Sequence, residues 1–274
     1  MSIQQLLALA PAPGQGVDVA HPRDFPALEA ELGLTLPADF KELLVSYGTG
    51  RFLDYLLPYP VAGSGMTLRL NTLLLEGHEF SRAMFPEWYP YPIYPEAGGL
   101  LLWGGTQHGH NLCWLTEGEP DEWPVIVWQP DDNEYHRYDG NAVAFLTDWL
   151  RGALPQALPS PAPGAAVWFE PARDLAELHV FLDGGAGDFA ERAESLRRRF
   201  GTVQSRGSTA HGEHYEDRFA TTQSWRVTYS QSPQERRVRI AFPAGEQDAA
   251  RAAVLAAVSG VGHRVRHIET GRSA

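Results

Sequence analysis

This 274-residue chain is poor in cysteine, lysine and methionine, and it holds no long apolar run. The single cysteine, Cys113, excludes an internal disulfide framework and any CxxC pair for metal or redox work. Such usage fits a reducing cytoplasm, the compartment expected here. No stretch nears the ~18–20 apolar residues that a membrane helix requires. The apolar segment Ile3–Ala10 has no basic residue before it and is cut by Pro11 and Pro13, so it makes a poor signal peptide. One lysine, Lys41, stands against 21 arginines, which reads as coding composition rather than phosphate recognition. The net charge of −12 disfavours a coat on nucleic acid or on an anionic membrane, and neither is expected as a partner. A Walker loop, a GxSxG elbow, HExxH and GxGxxG are also missing. No cofactor, no metal and no catalytic residue is therefore expected.

What is present is ordinary globular material, 43% hydrophobic and 20% charged, enough for one large domain or two medium ones. The charge is unevenly placed. Residues 1–155 carry 7 Lys and Arg against 20 Asp and Glu, whereas residues 156–274 carry 15 against 14. Between these parts, Gly152–Gly164 holds four prolines and two glycines, a composition that cannot continue a helix. We read an acidic domain at 1–152, a linker at 153–164 and a second domain at 165–274.

In the first part, Asp24 can cap a helix with Phe25, Leu28 and Leu32 on one face, ended by Gly33. Leu36-Pro37 starts a second, whose Phe40, Leu43, Leu44 and Tyr47 recur at helical spacing before Gly48. Asn71–Phe85 is a weaker amphipathic helix. Leu100–Trp103, Asn111–Leu115 and Pro124–Trp128 read as strands, and Asn141 caps a closing helix to Arg151. Clustered helices beside an antiparallel sheet make this an α+β domain.

The second part alternates as strand 178–182, a helix opened by Asp188 and Glu191, strands at 202–207, 224–229 and 237–242, a helix at 246–258 and a strand at 264–268. That order suggests a small ferredoxin-like sandwich, a fold that hosts many functions.

Three clusters invite a chemical reading. His108, His110 and Cys113 form HxHxxC without a fourth ligand of suitable spacing, so a hairpin tip with one buried thiol is expected rather than a metal centre. His211–Asp217, HGEHYED, bunches two histidines and three carboxylates in what reads as a solvated polar loop. A hydrolase or ligand-binding unit built on His211 and His214 is the rival reading. Phe85–Pro95 packs five aromatics and four prolines into 11 residues, suited either to covering a sheet or to anchoring a partner through Trp88 and Tyr91.

Leu28–Gly50, Leu100–Trp128 and Phe145–Gly152 together resemble the SUKH superfamily, the Smi/Knr-like proteins. The resemblance rests on Leu36-Pro37 with Gly48, on Trp103-Gly104, on Trp114 and on Trp123-Pro124, and it covers roughly residues 15–155. It implies a non-enzymatic binding domain. Bacterial members are commonly immunity proteins that neutralise a cognate toxin by direct binding, and eukaryotic relatives are scaffold-like regulators. A basic nuclease toxin would find an electrostatic complement in so acidic a domain. The densest acidity, Glu117, Glu119, Asp121 and Glu122, then Asp131, Asp132 and Glu134, flanks the strand that ends at Trp128. These residues are the expected contacts for a basic protein partner, and a scaffold without a toxin is the alternative.

Overall fold

The computed structural model describes residues 2–61, 67–68, 71–154, 157–159, 161 and 164–272. These divide into two compact units, Met1–Ala172 and Arg173–Ala274.

The first unit opens with α1 (Ile3–Leu9), the apolar N-terminal segment, whose Leu6 is buried in the core. Next come α2 (Phe25–Leu32) and α3 (Ala38–Tyr47), matching the spacing of their apolar residues. Gly48 ends α3 at φ +67, and a Cβ there would collide with the carbonyl of Val17, so only glycine fits. Strands β1 (Gly50–Phe52) and β2 (Leu56–Pro58) lead to α4 (Asn71–Met84). After it run β3 (Leu100–Thr106), β4 (Asn111–Leu115), β5 (Val125–Gln129), β6 (Glu134–Tyr138), α5 (Ala142–Leu150) and β7 (Phe169–Pro171). The strands form one antiparallel sheet in the order β6-β5-β4-β3-β2-β1-β7.

Both faces of that sheet are covered, which explains its near-continuous hydrophobic strands. On one face Phe40 of α3 meets Trp103 and Trp114 edge-on, and Phe145 of α5 meets Tyr138. On the other, His78 of α4 and Tyr89 lie edge-on to Trp128, while Tyr91 packs on Tyr135. Asn141 caps α5 through the amide of Ala144, as its sequence suggests, and Asp39 adds a second bond to Val143.

The proline-rich segment read as a linker is partly packed. Leu158 is buried in the first core, Trp149 donates to the carbonyl of Pro159, and Gln129 donates to that of Ala157. Beyond it, β7 pairs with β1 through Gly50–Pro171, Arg51–Glu170 and Phe52–Phe169, so the first unit extends to Ala172. Composition had placed the division earlier because proline content registers backbone stiffness, not what the side chains contact.

The second unit holds β8 (Leu175–Gly184), α6 (Phe189–Phe200), β9 (Thr202–His211), β10 (His214–Thr221), β11 (Arg226–Gln231), β12 (Arg236–Pro243), α7 (Gln247–Ser259) and β13 (His263–Arg272). Its antiparallel order is β13-β8-β12-β11-β10-β9. A four-strand meander separates the two helices, where a ferredoxin-like sandwich has one hairpin. Leu196 and Phe200 of α6 and Val254 and Val258 of α7 share a core with the alternate strand residues Leu178, Val180, Val238, Ile240 and Phe242.

Candidate functional site

The exposed large apolar residues of the first unit concentrate along the end of α4 and the turn after it. Phe80 is 74% exposed, Met84 59%, Phe85 45% and Trp88 51%. The Phe85 and Trp88 rings stack with centroids 5.0 Å apart. The helix wheel explains the split within α4. Phe80 follows the buried His78 by two residues, about 200° around the axis, so it points away from the sheet. Contiguous apolar surface of this kind marks interaction sites more often than scattered single residues do. Sequence reasoning named Trp88 but missed Phe80 and Met84; the available signal was their i, i+4 spacing on the helix face opposite the core.

The segment Phe85–Pro95 is divided between covering the core and standing at the surface. Ile93 is buried and the Tyr94 hydroxyl donates to the carbonyl of Leu32, while Phe85 and Trp88 remain outside. Tyr91 is half-buried against Tyr135, their centroids 5.5 Å apart. Tyr135 also directs its hydroxyl toward the carbonyl of Trp88 at 3.4 Å and stacks on Trp128. Through Tyr135 the structure brings Trp88 and Tyr91 together, while the neighbouring Glu134 points to the opposite face of the sheet.

All seven carboxylates singled out by sequence are exposed, yet they do not form one rim. Glu117, Glu119, Asp121 and Glu122 lie in the β4–β5 connection, and Asp131 and Asp132 lie in the β5–β6 turn. Consecutive turns of a meander fall at opposite ends of the strand between them, here about 17 Å for the five residues of β5. Asp131, Asp132 and Glu134 are thus the carboxylates at the end of the sheet where β6 begins. Glu134 pairs with His136 at 3.4 Å, and Asp121 accepts from the Ala38 amide at the start of α3.

The HxHxxC residues diverge. Cys113 is fully buried between β3 and β5, and burial pushes its thiol pKa up. The His108 and His110 rings stand 6.2 Å apart at the hairpin tip, His108 against Tyr55. Burial, aided by His108, lowers His110 below the ordinary imidazole range, and Asp131 and Asp132 partly oppose this. Among the described residues, no three His, Cys, Asp or Glu side chains gather so as to hold a metal ion.

HGEHYED is not a loop. It is the tip and return strand of the β9–β10 hairpin, whose alternation places Asp217 inward, fully buried and gripped by Arg197 and Ser208. His214 is exposed, and the His211 side chain lies outside the described residues. His214 borders an open polar cavity of about 380 Å³ shared with Thr209, Glu216, Ser230 and Arg237.

An α+β unit with tryptophan-rich strands between two helical layers defines the class of this domain. Residues 23–146 match the SUKH_6 family model, described as SMI1-KNR4 cell-wall, and are a SUKH domain. Comparison with curated proteins and with solved structures returns no match. No helix among the described residues is long and apolar enough to cross a membrane.

Proposed function

We propose that this chain is a non-catalytic binding protein of the immunity type, whose SUKH domain neutralises a basic toxin by covering it. The observation that carries the reading is the exposed stripe Phe80, Met84, Phe85 and Trp88, on an acidic domain whose exposed Asp131, Asp132 and Glu134 lie in and beside the β5–β6 turn. Aromatic and methionine side chains supply the anchors that dominate interface energy. Carboxylates at the margin accelerate encounter with a cationic partner and set its orientation.

Affinity capture from the native cell identifies the partner, and association rates against ionic strength then test the surface. The triple variant Asp131→Lys, Asp132→Lys, Glu134→Lys should associate more slowly at low salt, with the difference shrinking as salt rises. The variant Glu117→Lys, Glu119→Lys, Glu122→Lys at the other end of β5 carries the same charge change, is the matched control and should change the rate less. Equal effects of the two variants would reduce the carboxylates to a general solubilising charge. A captured partner without a basic surface would favour the scaffold reading over toxin neutralisation.

A further inference from the structure

The second unit buries a hydrogen-bonded chain that works in one direction only. Arg192 of α6 is 4% exposed, and its acceptors are all neutral: the Tyr229 hydroxyl at 2.8 Å, the Gln231 side-chain oxygen at 2.5 Å and the Gly187 carbonyl. Tyr229 of β11 is fully buried, and its hydroxyl lies 3.2 Å from Nε2 of His263, the first residue of β13. Arginine can only donate, so the phenol oxygen accepts from it and the phenol hydrogen is left to donate to Nε2. That bond requires Nε2 to be unprotonated. The neutral ring therefore carries its hydrogen on Nδ1, a buried atom.

The ring also fixes the loop that joins β8 to α6. Gly185 sits at φ +106 so close to the imidazole that a Cβ would overlap His263 Cε1 and Nδ1. Arg192 holds the Gly187 carbonyl, Arg236 of β12 holds that of Gly184 at 2.5 Å, and Ala186 donates to the carbonyl of Val261 just before β13. Loop, helix start and edge strand meet at this one imidazole.

We propose that His263 is a proton-sensitive latch, closed when the ring is neutral, whose protonation releases the Gly184–Asp188 loop and the start of β13. A proton on Nε2 would turn two donors on the same phenol oxygen and leave the phenol hydrogen without its acceptor. It would also add a buried positive charge where Arg192 and Arg236 already face the ring. Burial and these two cations hold the imidazole below its ordinary value, while the backbone of Asp183 and Gly184 acts in the opposite sense. The opened form thus binds the proton more readily. The latch keeps its full strength above the ordinary histidine range and weakens as pH falls through it toward the lowered value.

Hydrogen exchange of the full chain tests this at about pH 7.5 and about pH 5.5, either side of an ordinary imidazole. After correction for intrinsic exchange, peptides over 184–192 and 261–265 should lose protection several-fold at the lower pH. In His263→Gln, which can still accept from Tyr229 and does not titrate, the loss should vanish. Unchanged protection in the wild type, or the same loss in His263→Gln, would overturn the proposal. NMR of the wild type gives a second readout that needs no variant. The loop amides should shift with the midpoint of the His263 ring, and midpoints that follow another histidine would equally overturn it.

Discussion

Asp121 Oδ1 lies 2.6 Å from the backbone nitrogen of Ala38, so one carboxylate of the acidic β4–β5 connection is bound to the start of a helix. Ala38 is the first residue of α3, and amides at that position have no acceptor within the helix. Asp121 supplies one across 83 residues of chain. Replacing it with Ala should cost about 1 kcal/mol, the usual value of such a cap. Glu119→Ala and Glu122→Ala should stay within about 0.5 kcal/mol of wild type. Urea unfolding followed by tryptophan fluorescence separates the two outcomes; equal effects would show that the cap is not made in solution.

The strand after the proline-rich segment offers a larger effect. Phe169 is buried, with its ring centroid 4.9 Å from those of both Tyr47 and Phe52. Phe169→Ala should destabilise the first unit by about 3–5 kcal/mol, as expected for an emptied aromatic site. A change below 1 kcal/mol by the same unfolding measurement would mean that β7 is dispensable and the first unit ends earlier.

Cys113 should be inert in the native protein. Its side chain is fully buried and its thiol is held in the neutral form, whereas reaction with a disulfide reagent needs the thiolate in contact with solvent. A thiol titration should find no reactive group until denaturant is added, then one per chain. Rapid labelling of the folded protein would place Cys113 outside the core.

The only lysine ties two helices together. Lys41 Nζ stands 2.9 Å from Oε1 of Glu29, which also accepts from the Leu36 amide at 2.9 Å. Burial pushes the Glu29 carboxyl up, but Lys41 and the Leu36 amide outweigh it and leave its pKa below the ordinary 4.5. The folded state therefore holds this carboxylate more strongly than the unfolded state, a contribution present above pH 4.5 and lost as pH falls below it. Lys41→Ala should lose up to about 1 kcal/mol at neutral pH, because the pair is partly exposed. The loss should shrink in acid, and a penalty independent of pH would assign the effect to packing instead.

Much of the fold was legible in sequence because its signals are local. Gly33 and Gly48 mark the ends of α2 and α3, Asn141 opens α5, and Asp188 with Glu191 opens α6 through a reciprocal capping box. The short strands β1, β2 and β7 were missed, since three residues are too few to show alternation. β6 was missed for a different reason. It is an edge strand whose Glu134, His136 and Arg137 carry no apolar period.

The candidate surface was only half legible. Trp88 and Tyr91 drew attention by composition, but Phe80 and Met84 were passed over, because the weak amphipathic pattern of 71–85 did not single out the face opposite His78. The acidic residues read as a single rim because they flank one strand in sequence, whereas a strand separates its two flanks in space.

The sequence by itself determined the helix ends, the two-part distribution of charge and the SUKH character of residues 23–146, since neighbouring residues carry those signals. Only the tertiary structure decided that the chain returns after the prolines to pair Phe169 with Phe52, that Asp217 points inward from a polar segment, and that Tyr135 reaches Trp88. Those relations link residues far apart along the chain. They depend on which surfaces remain to be covered once the local elements have formed.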